Sequence, residues 1–245
     1  MRNIKLQIEY DGTAYVGWQI QNNGKSVQGV LQNALKKMTG DDVNLIGCGR
    51  TDSGVHAIDY TANFNTNSGI STDGFFKGLN TSIPYDIVIK SAEEVESEFN
   101  ARRSAKAKTY IYRVLIAHHR PAIYRERCWQ INQELDLEVM KEGAALLVGE
   151  KDFKTFCAIG SNATEFVREV SSFIITERDE GFIDFSVRGR SFLMHMVRIM
   201  VGSLVMLGRG KLTLDEFGSA IEAKDRMRLP YTAPSQGLFL RDVEY

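Results

Sequence analysis

Gly49-Arg50-Thr51-Asp52-Ser53-Gly54-Val55-His56-Ala57 is a short polar stretch that directly follows an apolar run, Val43 to Cys48. An apolar run of this kind is typical of a strand in a core, yet here two glycines, an arginine and an aspartate follow within six positions. An Asp-Ser-Gly sequence is common in ordinary turns, in which the aspartate side chain bonds to nearby backbone. The pattern alone therefore favours a turn, and a larger role for Asp52 depends on the rest of the chain.

The composition is that of a globular protein, because 43% of its 245 residues are hydrophobic and 25% are charged. This length suits one large domain or two small ones. The most apolar segment, residues 192–207, is interrupted by His195 and Arg198 and does not reach the length of a membrane span. The N-terminal residues lead directly into a strand pattern, so we expect no signal sequence and no membrane association.

Neither the cysteines nor the histidines have the spacing of a metal site. Cys48, Cys128 and Cys157 are an odd number without a Cys-x-x-Cys pair, so we expect free thiols and a cytoplasmic location. The four histidines form no His-Glu-x-x-His motif, and we expect no metal. A Walker loop and a GxGxxG motif after a strand are both missing, which leaves a nucleotide cofactor without an anchor.

The net charge of −1 conceals a strongly basic block in the middle of the chain. Residues 100–127 carry eight Lys and Arg residues against a single glutamate, and they follow an acidic run at residues 93–98. The block also contains Tyr110, Tyr112 and Tyr124. Cations bind phosphates, and aromatic faces stack on bases. The block is therefore compatible with nucleic-acid binding, although a charged run is more often a solvated surface.

The first half of the chain predicts the element order β-α-β-β-α-β. Residues 4–10 alternate apolar and polar side chains, which indicates a strand with one buried face. Ser26 and Gly40 bracket an amphipathic helix whose apolar positions run from Val27 to Met38. The remaining predictions are strands at residues 43–48, 60–64 and 86–90 and a short helix around Phe75, Phe76 and Leu79.

The second half repeats that order. A long strand over residues 108–117 places Tyr110 and Tyr112 on one face. Residues 177–181 form the turn of a predicted hairpin, and Thr213-Leu-Asp-Glu216 has the spacing of a capping box that opens a helix. The remaining predictions are a helix over residues 137–147, strands over 166–176 and 182–187, an apolar helix over 191–207 and a final strand over 238–243.

These elements predict an α+β protein built from two ferredoxin-like halves, which have the topology of RRM domains. We place the halves at residues 1–104 and 105–245, each with an antiparallel sheet that helices cover on one face. No low-complexity linker separates the halves, and the chain has only four prolines. We therefore expect the two sheets to join, with a central cleft between the halves.

Asp52 is the strongest candidate for chemistry, because other common arrangements are missing. No Gly-x-Ser-x-Gly elbow is present, and a hydrolase with two carboxylates would need a partner closer than Asp59. An arginine beside a carboxylate lowers its pKa and keeps it ionised, and Arg50 can act in this way locally. Arg198 lies in an apolar helix, where it is either paired or extends to the surface. We interpret the nearby His195 as a core histidine.

The stretch at residues 49–57 closely resembles the signature of the TruA family of tRNA pseudouridine synthases. Further blocks similar to those of the family follow in the family's order over nearly the whole chain. They are Tyr10-Asp-Gly-Thr-Ala-Tyr-Val-Gly-Trp-Gln19, Ser26-Val-Gln28, Phe99-Asn-Ala-Arg102, Lys108-Thr-Tyr-Ile-Tyr112, Phe192-Leu-Met-His-Met-Val-Arg198 with Val201-Gly202, and Ala233-Pro-Ser-Gln-Gly237-Leu238. On this resemblance the chain is identified as a member of the family.

The resemblance implies an isomerase with the pseudouridine synthase fold, which needs no cofactor. The N1–C1′ bond of uridine breaks, the uracil rotates, and the ring rejoins the sugar through C5. By resemblance, Asp52 is the nucleophile at C1′ or at uracil C6, or it removes a sugar proton on the way to a glycal. Tyr110 stacks on the target uracil and is a candidate base for the C5 proton. Arg198 pairs with Asp52. Leu238 lines the base pocket, and Arg50 fills the space that the flipped base vacates.

The resemblance also implies a substrate and an assembly. The target uridines are positions 38, 39 and 40 of the tRNA anticodon arm, which is recognised by its shape. Family members are homodimers whose subunits share one tRNA. A stacked uridine must first be extruded at a cost of a few kcal/mol. Phosphate contacts and stacking on an aromatic ring offset that cost.

Four positions depart from the family pattern. Ser53 stands where alanine is common, Ile20 stands where many relatives have arginine, and Asn100 and Met194 replace frequent histidines. Two other functions stay open. One is a non-catalytic RNA-binding protein with two RRM-like halves, although an RNP-type aromatic motif is missing. The other is a nucleoside glycosidase, although a second acid is missing.

Overall fold

A computed structural model describes all 245 residues, and the chain divides into two units. The first unit comprises Met1–Lys106 with Phe239–Tyr245, and the second comprises Ala107–Leu238. The end of the chain thus returns to the first unit, whereas the division that the sequence suggested is contiguous. The architecture is mixed α+β, as predicted. No helix has the length and apolar character that crossing a membrane requires.

The first unit has the predicted order β-α-β-β-α-β. Its elements are β1 (Arg2–Tyr10), α1 (Val27–Thr39), β2 (Ile46–Gly47), β3 (His56–Thr66), α2 (Thr72–Ser82) and β4 (Ile87–Val95). β1 lies between β3 and β4 and is antiparallel to both, while β2 pairs with β3. The resulting order, β4-β1-β3-β2, is that of a ferredoxin-like sheet.

Local sequence accounts for the first strand and helix of this unit. β1 has one buried face because its alternate apolar side chains, such as Ile4 and Ile8, are fully buried. α1 begins where the Ser26 hydroxyl accepts a hydrogen bond from the Gly29 N–H. It ends at Gly40, whose φ of 80° is the left-handed conformation that glycine adopts readily. Both predicted caps of this helix are confirmed.

The second unit contains a four-stranded antiparallel sheet in the order β5-β9-β8-β7. A short strand, β6, runs parallel to β5. The elements are β5 (Ala107–Ile116), β6 (Trp129–Ile131), α3 (Leu137–Ala145), β7 (Gly149–Asp152), β8 (Val167–Glu177), β9 (Phe182–Gly189), α4 (Met196–Gly208) and α5 (Leu214–Ala223). The final strand, β10 (Leu238–Glu244), runs parallel to the start of β3.

Two polar contacts stabilise elements of the second unit. The predicted capping box opens α5, because the Thr213 hydroxyl accepts from the Glu216 N–H and the Glu216 carboxylate accepts from the Thr213 N–H. Across β5 and β9, Arg113 donates two hydrogen bonds of 2.8 and 3.0 Å to the buried carboxylate of Asp184. These bonds raise the pKa of Arg113 above its ordinary value, and they link the two strands.

The strand predicted at residues 43–48 is much shorter in the structure. Only Ile46 and Gly47 pair with β3, although Val43 and Leu45 are buried as the pattern indicated. The Leu45 carbonyl accepts a hydrogen bond of 2.9 Å from the Gln28 side chain of α1 rather than from a strand. The apolar pattern predicted the burial of Val43 and Leu45 correctly, but a buried segment does not have to pair as a strand.

The predicted helix over residues 191–207 begins later, at Met196. His195 directly precedes it with a φ of 60°, a left-handed conformation that interrupts the right-handed helix. His195 is half-buried, so its interpretation as a core histidine is wrong. β6 and β7 were not predicted, because strands of three or four residues are too short to show a period.

Phe64 offers a test of the first unit's core. Phe64 is fully buried in β3 and meets the edge of Phe75 from α2 at 5.3 Å between ring centroids. We expect Phe64→Ala to lower the free energy of unfolding by about 3–5 kcal/mol, because it removes buried area and leaves a cavity. Tyr85→Ala is the control at a fully exposed side chain and should change it by less than about 0.5 kcal/mol. Equal effects in urea titrations would contradict this core.

Candidate active site

Asp52 lies in the loop between β2 and β3 and is half-buried. The loop turns at Ser53 and Gly54, where the Val55 N–H donates to the Asp52 carbonyl at 3.2 Å. Gly54 has a φ of 76°, which few residues other than glycine adopt. The turn is also bonded from outside, since the Tyr15 carbonyl accepts from the Gly54 N–H at 3.3 Å and from the Ser53 hydroxyl at 3.2 Å. The serine that departs from the family pattern thus preserves the turn and adds a bond to it.

The residues before Asp52 are held by the aromatic side chains of the first unit. The Tyr10 and Thr51 hydroxyls share a hydrogen bond of 2.8 Å, and Thr51 is buried. Tyr60 of β3 donates from its hydroxyl to the Gly49 carbonyl at 2.5 Å. Trp18 stacks on the Tyr60 ring with centroids 4.0 Å apart. These contacts fix the backbone that leads into Asp52.

Two glycines allow the segment Asp11–Trp18 to touch the Asp52 loop backbone directly. A Cβ on Gly12 would lie 1.9 Å from the Val55 carbonyl oxygen. A Cβ on Gly17 would lie 2.4 Å from the Thr51 carbonyl oxygen, and Gly17 has a φ of 107°. Both distances are far below van der Waals contact, so a side chain at either position would displace the loop.

Two other polar residues near Asp52 were considered in the sequence, Arg50 as a local partner and Asp59 as a second acid that is too distant. Arg50 is exposed, and its local pairing with Asp52 stays a prediction. Asp59 binds the ammonium group of Lys90 at 3.2 Å. Asp59 therefore serves a surface ion pair, which adds little to stability, and is committed to that partner.

In the second unit, Tyr110 lies on β5 with 8% of its side chain exposed. Its ring meets the edge of Phe192 at 5.2 Å. Tyr112 and Val114, two and four residues further on, share its side of the strand and are fully buried. Tyr110 is thus supported from one side by an aromatic ring of the segment that leads into α4.

Arg198 lies in the first turn of α4, half-buried. Its Nε donates to the Ala233 carbonyl at 2.9 Å, and the Ala233 N–H donates to the Arg198 carbonyl at 3.0 Å. The Tyr112 hydroxyl donates to the neighbouring Pro234 carbonyl at 2.8 Å. Arg198 therefore bonds inward instead of extending to the surface, and it helps to hold the segment that leads to Leu238. Leu238 is 5% exposed at the start of β10.

Two buried phenols have shifted pKa values. Burial raises the pKa of Tyr112 well above its ordinary value, and the positive charge of Arg198 opposes this shift in part. Burial also raises the pKa of Tyr15, and a hydrogen bond to the Asp86 carboxylate adds to that shift. Both groups are neutral phenols at physiological pH and act here as hydrogen-bond donors.

Six of the eight Lys and Arg residues of the basic block are exposed, and Lys108 and Arg113 are half-buried. Arg102 and Arg103 are exposed on a tight turn. Asn100 holds that turn, because its side-chain oxygen accepts from the N–H groups of both arginines at 3.1 and 3.0 Å. The departure from histidine at this position therefore has a local structural role. The cysteines are all buried and free, and no three His, Cys, Asp or Glu side chains are grouped to hold a metal ion.

Sequence reasoning identified the Asp52 loop but missed most of its supports. The carbonyls of Thr51 and Tyr15 are bonded from Trp18 and Gly54 through backbone atoms, which no side-chain pattern reveals. The only sequence signal was that Tyr10 to Gln19 matched a family block. His56, at the end of the motif, also has partners that the sequence did not indicate.

Comparison with known proteins defines the family. The sequence profile described as tRNA pseudouridine synthase matches residues 7–102 and 144–245. A tRNA pseudouridine synthase A from Acetivibrio thermocellus is 45% identical over 245 residues, which is 100% of both chains. One from Thermoanaerobacter pseudethanolicus has the same identity and coverage. The chain therefore belongs to the tRNA pseudouridine synthase family, the TruA family of isomerases.

The likeness to solved structures is much weaker. A Cbf5-Nop10-Gar1 complex matches at a TM-score of 0.36 and 12% identity, covering 82% of this chain and 53% of that chain. A similarity of this size has no bearing on the site.

Gly17→Ala tests whether the Asp52 loop depends on close backbone contact. We expect at least a tenfold loss of pseudouridine formation in tRNA, because the new methyl group would push the Thr51 carbonyl away and misplace Asp52 by about 1 Å. The control is Gly40→Ala, which has a similar positive φ of 80° but no neighbour within 4 Å. It should cost about 1 kcal/mol of stability and leave activity unchanged. Equal activities in the two variants would contradict the contact.

Alkaline pH tests the burial of Tyr112. Because its pKa is raised by folding, the unfolded state ionises first as the pH rises above about 10. Stability is then lost with rising pH by as much as about 1.4 kcal/mol per pH unit for such a group. Guanidinium titrations between about pH 8 and 11 should show a shallower loss in Tyr112→Phe. Tyr85→Phe, at an exposed ring, should behave as the unsubstituted protein does; identical slopes in both variants would argue against a buried phenol.

Proposed function

We propose that this protein isomerises uridine to pseudouridine at positions 38, 39 and 40 of the tRNA anticodon arm, with Asp52 as the nucleophile. The observation that carries this proposal is the Asp52 loop itself. A half-buried carboxylate stands on a turn whose flanking backbone is bonded to Tyr15 and Trp18. Such preorganisation is what a nucleophile needs, because misplacement lowers the rate steeply. Family membership supports the reaction class.

The reaction needs a carboxylate that acts on the uridine first, either as a nucleophile or as a base. Asp52 attacks C1′ or uracil C6, or removes a sugar proton to give a glycal, and the N1–C1′ bond breaks. The uracil then turns and rejoins C1′ through C5, a base takes the C5 proton last, and N1 gains a proton, so the product has the formula of the substrate. No electrons are gained or lost overall, so the chain's own acid–base and nucleophilic groups suffice.

We assign binding roles to four further residues. Tyr110 stacks on the uracil with its largely buried ring and is a candidate base for the C5 proton. Arg198 is the proposed cationic partner of Asp52. Its Nε is already bonded to Ala233, which orients the guanidinium. Leu238 gives the base pocket an apolar wall. Arg50, exposed beside Asp52, occupies the place of the flipped base.

The partner we propose is the anticodon arm of tRNA, bound by a homodimer in the cytoplasm. The exposed arginines at positions 102 and 103 are suited to phosphate contacts. Buried free thiols at Cys48, Cys128 and Cys157 are in keeping with a reducing compartment. Sedimentation of the protein with one equivalent of tRNA would show whether two chains share one RNA.

Asp52→Asn is the decisive substitution for the chemistry. It keeps the shape of the side chain but removes the nucleophile, so we expect pseudouridine formation to fall by about a thousandfold or more. Carbodiimide-dependent reverse-transcription stops on tRNA transcripts would map the product. Asp59→Asn is the matched control, because Asp59 is bound to Lys90, and it should give the full set of stops. Full stops with Asp52→Asn would exclude Asp52 as the nucleophile, whereas the absence of stops with the unsubstituted protein would leave only an RNA-binding function.

Tyr110→Phe separates stacking from proton transfer. The ring and its contact with Phe192 are retained, so we expect tRNA affinity to stay within about threefold. Removal of the hydroxyl should lower kcat by about a hundredfold if it takes the C5 proton, as general bases typically contribute 10²–10⁴. Single-turnover kinetics on tRNA transcripts measure this step. A kcat within about threefold of the unsubstituted protein would exclude Tyr110 as the base and leave it as a stacking residue.

A further inference from the structure

His56 ends the Asp52 loop and begins β3, and its side chain is 3% exposed. A buried imidazole requires hydrogen-bond partners, and here the Gly12 N–H donates to its Nδ1 at 3.0 Å. An imidazole nitrogen can accept only when it carries no proton. The Gly12 bond therefore requires the form of the ring in which Nδ1 carries no proton.

The Asp11 carboxylate lies on the same side of the ring, with Oδ1 3.1 Å from Nδ1. The two groups would form an ion pair if Nδ1 of His56 carried a proton. A nitrogen that accepts from the Gly12 N–H carries none. Oδ1 of Asp11 also accepts from the Thr13 N–H at 3.0 Å and the Thr13 hydroxyl at 2.6 Å. Asp11 thus shapes the turn through Gly12, and His56 receives the Gly12 N–H that this turn presents.

The position of Gly12 in turn limits the position of the Asp52 loop. A Cβ on Gly12 would lie 1.9 Å from the carbonyl oxygen of Val55, three residues after Asp52, so the two backbones are closely packed here. The His56 ring is held in place from its other face by Phe239, with ring centroids 4.7 Å apart and planes 23° apart. His56 therefore fixes the position of Gly12, and Gly12 limits where the Val55 end of the loop can lie.

We infer that His56 is a positioning residue for Asp52, acting through hydrogen-bond acceptance at Nδ1. This inference rests on the proposed role of Asp52. It assigns to His56 no contact with substrate and no proton transfer. The effect of losing the acceptor should accordingly appear in kcat and not in tRNA binding, because the loop is misplaced while the rest of the RNA-binding surface is unchanged.

A pair of isosteric substitutions isolates the acceptor. In His56→Asn the side-chain oxygen can occupy the place of Nδ1, whereas in His56→Gln it reaches the place of Nε2. Both variants lose the stacked ring equally. We expect His56→Asn to retain kcat within about threefold, and His56→Gln to lose about 10- to 100-fold in kcat with KM and tRNA Kd nearly unchanged. Tritium release from tRNA labelled at uridine C5 gives kcat and KM, and filter binding gives Kd.

The outcomes separate this inference from the proposed function. Equal kcat values for the two variants, or a loss confined to KM, would overturn the positioning role. Full activity of Asp52→Asn in the same assay would overturn the proposed function instead. If either His56 variant fails to fold, nitrogen NMR of the unsubstituted protein can instead show which ring nitrogen of His56 carries the proton. A proton on Nε2 alone supports the inference, and a proton on Nδ1 would overturn it.

Discussion

The contact on which the site depends is one between two stretches of backbone. The segment Asp11–Trp18 lies against the loop that carries Asp52, and glycine is required at two points because the Thr51 and Val55 carbonyls occupy the space of a side chain. Hydrogen bonds to backbone carbonyls then fix the loop from both ends. A carboxylate on such a loop has few conformations to lose when substrate binds, which is the physical meaning of preorganisation.

Aromatic residues in the core of the first unit also hold the Asp52 loop in place. Tyr60 is fully buried, stacks on Trp18 and donates to the Gly49 carbonyl, so the residues that fill the core also hold the loop. The second unit uses the same principle. Buried Tyr112 and half-buried Arg198 bind consecutive carbonyls of a segment without regular structure. In both units buried hydrogen bonds to irregular backbone position the side chains proposed for chemistry.

Much of the fold was predictable because its signals are local. The caps of α1, the capping box of α5 and the alternation of β1 are each set by a few neighbouring residues. Prediction failed where a distant partner decides the structure. Residues 43–45 are buried without pairing as a strand, since Gln28 takes the Leu45 carbonyl. The start of α4 was misjudged because one left-handed residue, His195, breaks a continuous apolar pattern. The residues themselves made Asp52, Arg50 and Arg198 candidates, whereas the roles of Tyr110 and Leu238 came from family resemblance. The backbone supports of the site have no side-chain pattern that could have predicted them.

The most direct test of a preorganised Asp52 loop is amide hydrogen exchange in the free protein. The Gly54 N–H donates to the Tyr15 carbonyl and the Trp18 N–H to the Thr51 carbonyl, so both bonds join the loop to the segment beside it. A loop that is rigid before RNA binds predicts slow exchange at both amides, comparable with that of the central residues of β3. Exchange at the rate of an unprotected peptide, with β3 still protected, would show a mobile loop and contradict the account.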